Sequence, residues 1–219
     1  MLDLFHIAKP QGCDIQTFYG NGAVSNSTNV KSWTKPRGVS HVYMMLIGSG
    51  GNGDGSTGGG SGAVTVWYGA AQHVPDQLDV HVGQGNGQAS QIKYRTTSGT
   101  PYTLLIGDAA SGVSGGAAAS ANQFTASGFF NSVAGQAGSG GSSQSASSTT
   151  FLSGGTFSTG TVTANYGYGG YNAEGIFMLQ PIIVGSASGK VGGAGGVGCG
   201  GNSSGSGKGG QGMVLIASW

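Results

Sequence analysis

The spacing of hydrophobic and polar positions changes several times along this chain, and each change marks an element. From Gln77 to Val82 apolar and polar residues alternate, which puts Leu78, Val80 and Val82 on one face of a strand and Asp79 and His81 on the other. By contrast 42–47 and 213–216 are apolar without a break, the pattern of strands covered on both faces, so these two are expected to be central in their sheet. Short runs rich in β-branched and aromatic residues, bounded by Gly, Pro, Asn or Asp, predict strands at 42–47, 63–68, 78–82, 91–95, 102–106, 176–179, 182–184 and 213–218. No stretch keeps a helical period. The nearest is 109–124, but Gly112, Gly115 and Gly116 interrupt it, each costing roughly 1 kcal/mol relative to Ala in a helix interior. The expected class is all-β, a short-stranded, sandwich-like domain.

Between the strands lie long glycine-rich segments. The apolar run 41–47 breaks directly into 48–62, and 189–212 leads directly into the apolar run 213–219. Glycine loses more backbone freedom on folding than any other residue, so an ordered run of glycines has to be held by something specific. Polyproline II-type helices, with three residues per turn, can approach closely and bond laterally when side chains are missing. Glycines in 189–212 recur at separations of one, two and three with short side chains between them, which fits polyglycine II-type segments. The segment 135–148 has no aromatic or charged residue and is expected to be a variable loop. In 165–172 three tyrosines, Tyr166, Tyr168 and Tyr171, stand among glycines. Tyrosines on glycine-rich loops make adaptable binding surfaces, so these are the receptor-binding candidates; the competing reading packs the rings inward as core.

The order of motifs carries a resemblance. Trp33, Pro36, Gly38 and Val39 form a Trp-x-x-Pro-x-Gly-Val lead, and a strand then ends in Ile47-Gly-Ser-Gly-Gly-Asn-Gly53. Val80-His-Val-Gly-Gln-Gly85 follows in the middle, and Gly209-Gly-Gln-Gly-Met-Val-Leu-Ile-Ala-Ser-Trp219 closes the chain. This resembles the glycine-rich domain of tail-fibre and other surface proteins of tailed bacteriophages, over 33–219. Residues 1–32 fall outside the pattern and are expected either to be an N-terminal arm that docks on another virion protein or to supply a first strand of the domain. The apolar stretch 175–184 interrupts the glycine-rich part later than the pattern has it.

The resemblance implies a non-enzymatic virion structural protein, at a tail-fibre tip or on a head-surface fibre, presenting loops for host attachment. The alternative is a capsid or tail decoration protein that cements the particle and binds no receptor. Implied partners are other virion proteins of capsid, tail or fibre, and a bacterial surface polysaccharide or outer-membrane protein. Fibre proteins are usually trimers, so a homo-oligomer is expected. The implied location is the virion surface, after assembly in host cytoplasm.

Composition narrows the function classes. Glycine supplies 48 of 219 residues, while charged residues make up only 7% against roughly 25% on average. Disorder goes with few aromatics and high net charge, but here the net charge is +1 beside three Trp, eight Tyr and eight Phe, so the chain reads as ordered. Near-zero charge removes the repulsion that keeps free proteins apart and suits a packed assembly. The eight basic residues are scattered, which argues against nucleic-acid binding. The start of the chain has no basic, then apolar, signal pattern, and the longest apolar stretch, 176–184, is too short to span a bilayer. Neither a secretory leader nor membrane insertion is expected.

Several motifs resemble chemistry without its context. Gly48-Ser-Gly-Gly-Asn-Gly53 matches a dinucleotide fingerprint, but Gly-rich 54–62 follows where a helix is required. Gly207-Lys208 fails the phosphate-loop pattern because Gly209 follows and Asn202 stands where its first glycine belongs. The four histidines have no metal-ligand spacing, and Cys13 and Cys199 have no close cysteine partners. Asp76 and Asp79 are the only close carboxylates, and acids on strand faces are usually solvated surface, so a polysaccharide hydrolase is disfavoured. No catalytic residue, metal or cofactor is expected.

Overall fold

The computed structural model describes residues 13–20, 29–54, 59–85, 87–95, 99–119, 123–124, 128–135, 137, 156–157, 166–167, 197–198, 200 and 208–219. Eleven strands run through them: β1 (Asp14–Tyr19), β2 (Asn29–Thr34), β3 (His41–Ile47), β4 (Val64–Ala70), β5 (Gln77–Val82), β6 (Ser90–Arg95), β7 (Pro101–Gly107), β8 (Gly128–Val133), β9 (Thr156–Phe157), β10 (Tyr166–Gly167) and β11 (Met213–Ser218). The one helical element among the described residues is a single 3-10 turn, Ala71–His73. Two antiparallel sheets pack face to face: a five-stranded sheet in the order β1-β11-β3-β4-β8 and a four-stranded sheet in the order β2-β5-β6-β7. The all-β, sandwich-like class is therefore observed.

The core between the sheets is built from one parity of each strand. Val42, Met44 and Leu46 of β3, Trp67 of β4, and Val214 and Ile216 of β11 meet Trp33 of β2, Leu78, Val80 and Val82 of β5, Ile92 of β6 and Leu105 of β7. In β5 the expected alternation holds, with Leu78, Val80 and Val82 buried and Asp79 and His81 half-buried on the outer face. The five-stranded sheet differs because its outer face is also apolar. There Met45 and Ile47 of β3, Val64 and Val66 of β4, and Met213, Leu215 and Ala217 of β11 form a second buried cluster, against which Tyr43, Ile15, Val197 and Trp219 pack. This is why 42–47 and 213–216 read as unbroken apolar runs: β3 and β11 occupy interior positions of the sheet and are buried on both faces.

Six expected strands appear at or within two residues of their predicted limits. The two expected at 176–179 and 182–184 lie outside the described residues. Five of the eleven strands, β1, β2, β8, β9 and β10, lie outside those predicted limits, β1 within the segment expected to supply either an arm or a first strand. The stretch 109–124 is not helical in its described part, and β8 begins shortly after it as an edge strand carrying Phe129 and Phe130. The division expected after residue 32 falls inside β2, whose Trp33 is fully buried in the core. Asp14–Tyr19 pairs along its whole length with β11, so the described part of the N-terminal segment is sheet, while residues 1–12 lie outside the described residues.

Lys35, just beyond β2, secures the loop at the far end of β4. Its ammonium donates to the carbonyls of Val74, at 2.7 Å, and Ala71, at 3.2 Å, and pairs with Asp76 at 2.9 Å, while its backbone N–H donates to the Asp76 carbonyl. The Trp-Thr-Lys-Pro-Arg-Gly-Val lead thus has two structural tasks, the core contact of Trp33 and the clasp of Lys35.

Candidate functional site: a glycine lattice capping the sandwich

β3 runs into 48–54, 59–63 runs into β4, β7 into 108–116, β8 into 134–135, and 208–212 into β11. These connections gather at one end of the sandwich and bond to one another mainly through the backbone. Gly48 N–H donates to the Ala63 carbonyl and Gly51 N–H to that of Gly60, two bonds to the same neighbouring segment from positions three apart. Between them Ser49 donates to Gln88 and Gly50 to Gly210, so successive amides point to three different neighbours. The next segment repeats the pattern: Gly60 and Ala63, again three apart, donate to Gly112 and Asp108, and Gly62 donates to Gly198. Three residues per turn with lateral bonds in several directions is polyglycine II geometry. These bonds are 2.8–3.2 Å long, of ordinary strength. Of the stretch 189–212, where polyglycine segments were anticipated, the described residues Gly198, Gly209, Gly210 and Gly212 bond into this lattice, while the three-residue repeat itself is seen at 48–51 and 60–63.

Close approach explains why glycine is used. A Cβ at Gly48 would overlap the Asp108 carbonyl, and one at Gly62 the Gly48 carbonyl, with backbone on both sides that cannot move aside. Neither position has a left-handed φ; the requirement is for space, not for a special dihedral angle. A few side chains lock the lattice to the sheets. Ser49 Oγ donates to the Gln88 carbonyl and accepts from the Gln88 N–H, Ser90 Oγ donates to the Ile47 carbonyl, and the Asn52 side chain accepts from the Gly209 N–H.

The lattice also fixes where the chain leaves and returns. Gly135 N–H donates to Gly116, and a Cβ on it would meet the Ser61 carbonyl; Gly198 accepts from Gly62 N–H. Gly135 and Gly198, which flank residues 136–196, thus lie against adjacent lattice positions, Ser61 and Gly62. Of the receptor-binding candidates in that stretch, Tyr166 belongs to β10 and lies opposite Phe157 of β9, while Tyr168 and Tyr171 lie outside the described residues. The expected variable loop at 135–148 lies outside them from residue 138 on.

The motifs that imitate chemistry are absorbed structurally. The fingerprint at 48–53 is lattice, with no helix after it among the described residues. Asp76 is paired with Lys35 and Asp79 with Arg95, so each carboxylate already faces a cation. His81, on the outer face of β5, has no hydrogen-bond partner at either ring nitrogen among the described residues. Burial lowers its pKa below the usual histidine value, the nearby Lys93 and Arg95 lower it further, and Asp79 opposes them. No group of three or more metal-ligating side chains occurs among the described residues, and no helix among them is long and apolar enough to cross a membrane. Sequence reasoning missed one surface feature, the ring group His41, Tyr68 and Trp219, because strands distant in sequence bring it together. No protein-family model and no curated protein matches the chain.

Proposed function

We propose that the chain is a non-enzymatic structural protein of a tailed-bacteriophage virion, placed at a tail-fibre tip or on a head-surface fibre, where it presents loops for attachment to a bacterial surface. The observation that carries this reading is that Gly135 and Gly198, on either side of 136–196, lie at neighbouring lattice positions. A backbone lattice of this kind is a stiff base that tolerates change in what it holds, because its own bonds need no particular side chains. The described residues on either side of 55–58 and of 201–207 also belong to it. The motif order supports the virion context, as does a near-neutral composition suited to an assembly.

Attachment in this reading is multivalent and weak per contact, with copies on one particle multiplying avidity. Tyr166, Tyr168 and Tyr171 are the proposed contacts. Virions carrying all three as Ala should assemble normally and adsorb to host cells at least ~10-fold more slowly, since avidity compounds each loss. Unchanged adsorption would remove the tyrosines from the site. A cryo-EM reconstruction of the particle that placed this chain flat between capsid or tail subunits would replace attachment with cementing.

A further inference from the structure

At the opposite end of the sandwich from the lattice, the outer face of the five-stranded sheet carries aromatic rings in a cross-strand row. Register sets Tyr43 of β3 beside Tyr68 of β4, and Tyr68 beside Phe129 of β8. Next to this row His41 and Trp219 exchange backbone hydrogen bonds in both directions. The rings of His41, Tyr68 and Trp219 lie within 5.6–6.1 Å of one another, centroid to centroid, and within 21° of parallel. Tyr68 is 37% exposed on a strand whose neighbouring positions are buried, and Phe129 on the edge strand β8 is 44% exposed. Their positions are fixed by sheet hydrogen bonds rather than by flexible loops, so little ordering is needed for them to bind.

Two features define what such a row would take. The first is charge: β3, β4, β8 and β11 contain no Asp, Glu, Lys or Arg, whereas β2, β5 and β6 of the other sheet carry Lys31, Asp79, Lys93 and Arg95. A charged polymer would find no counter-charge on these strands. The second is spacing. Adjacent strands lie about 4.7–4.9 Å apart in a sheet, close to the length of one hexopyranose unit, so side chains set opposite one another on successive strands can meet successive units, and the C–H faces of pyranoses stack on aromatic rings. A hydrogen-bonding group stands beside the row as well. Ser40 Oγ donates to the Trp219 carbonyl at 3.1 Å and lies 2.9 Å from His41 Nδ1. With its one proton given to the carbonyl, the hydroxyl accepts from Nδ1–H, and in the neutral ring Nε2 is then the acceptor, suited to a sugar hydroxyl.

We infer that the row Tyr43, Tyr68 and Phe129, with His41 and Trp219 at its side, is a binding site for a neutral polysaccharide, each exposed ring taking one sugar unit. The inference needs neither Tyr166, Tyr168 and Tyr171 nor a virion context. The test titrates the full chain with cellohexaose, maltohexaose and dextran, followed by calorimetry and by tryptophan fluorescence, with Tyr68→Ala and Phe129→Ala alongside. Both positions are partly exposed, and matching thermal unfolding would show that the variants are folded. Should one of them unfold early, Tyr68→Ser and the remaining variant carry the test. The expected result is saturable binding of at least one of these neutral glycans, weakened ~10-fold or more by each substitution. No saturable binding to any of the three, or binding indifferent to both substitutions, would overturn the assignment. So would wild-type self-association that the same substitutions abolish in light scattering, which would give the row to a second copy of the chain. Adsorption of virions altered at Tyr166, Tyr168 and Tyr171 reads the proposed attachment separately, so the two readings fail independently.

Discussion

At the scale of single residues, glycine serves two different purposes here, and substitution separates them. Gly62 sits against the Gly48 carbonyl, where any Cβ meets immovable backbone, so Gly62→Asn should cost ~2–4 kcal/mol, beyond a typical overpacking penalty. Gly38 has φ 80° and open space around its Cβ position, and Asn tolerates that left-handed region, so Gly38→Asn should cost under ~1 kcal/mol. Denaturant midpoints of the two variants compare them directly. Lys35 offers a different residue-scale test. Its ammonium is largely buried on two carbonyls, while Asp76 is mostly exposed. Lys35→Met should therefore lose ~1–3 kcal/mol and Asp76→Asn ~0–1 kcal/mol, because an exposed partner adds little. Neither the clasp nor the close approach could be read in the sequence. The motif shows that Lys35 follows Trp33, but its acceptors lie in a loop 36 and 39 residues on, and composition alone cannot tell a packed glycine from a loose one.

At the scale of elements, burial parity makes the clearest prediction. In β11 both parities are buried, so Leu215→Ala and Ile216→Ala should each cost ~2–4 kcal/mol, as for large-to-small changes in a core. In β5 only one parity is fully buried, so Val80→Ala should destabilise by ~1 kcal/mol or more while Gln77→Ala, at the exposed position of the strand, stays within ~0.5 kcal/mol. Thermal unfolding of the four variants would show two costly changes in one strand and one in the other. These strands were legible because their neighbours impose a pattern: alternation on β5, which has one wet face, and an unbroken apolar run on β11, which has none. β1 and β8 were not legible for the converse reason. They are edge strands whose side chains are mostly half-buried, so Asp14-Ile-Gln-Thr-Phe-Tyr19 and Gly128-Phe-Phe-Asn-Ser-Val133 carry no strong periodic signal. The ring row shares that limit, since it depends on strand order, which local periodicity does not contain. β5 also carries a pH-dependent contribution. His81 has a folded-state pKa below its unfolded value, so the unfolded chain binds the proton more readily, and the contribution is present above the unfolded value near 6.5 and lost as pH falls through it toward the folded pKa. Unfolding temperature should therefore drop more steeply below about pH 6.5 in wild type than in His81→Gln, in which that proton is absent.

At the scale of the whole molecule, the lattice and the sandwich share their backbone. The lattice segments 48–54, 59–63, 108–116 and 208–212 each continue a strand of the sandwich, and the bonds of Ser49 to Gln88, Ser90 to Ile47 and Gly212 to Gly83 tie the lattice to the rims of both sheets. A glycine-rich linker in water would exchange its amide hydrogens almost freely. Here the amides of Gly48, Gly50, Gly51, Gly60 and Gly62 are each donated to a carbonyl inside the lattice, so they should exchange only when the sandwich itself opens. Their protection should match that of Met44 and Ile216, at the global free energy of unfolding, which for a domain is about 5–15 kcal/mol. The same coupling predicts a single cooperative transition in which lattice protection and near-ultraviolet signals from Trp33 and Trp67 are lost together. Fast exchange of those glycines while Met44 remains protected would show a lattice that opens alone. It would then be a poor base for the segments attached to it, and the argument that stiffness at this end serves attachment would fail with it.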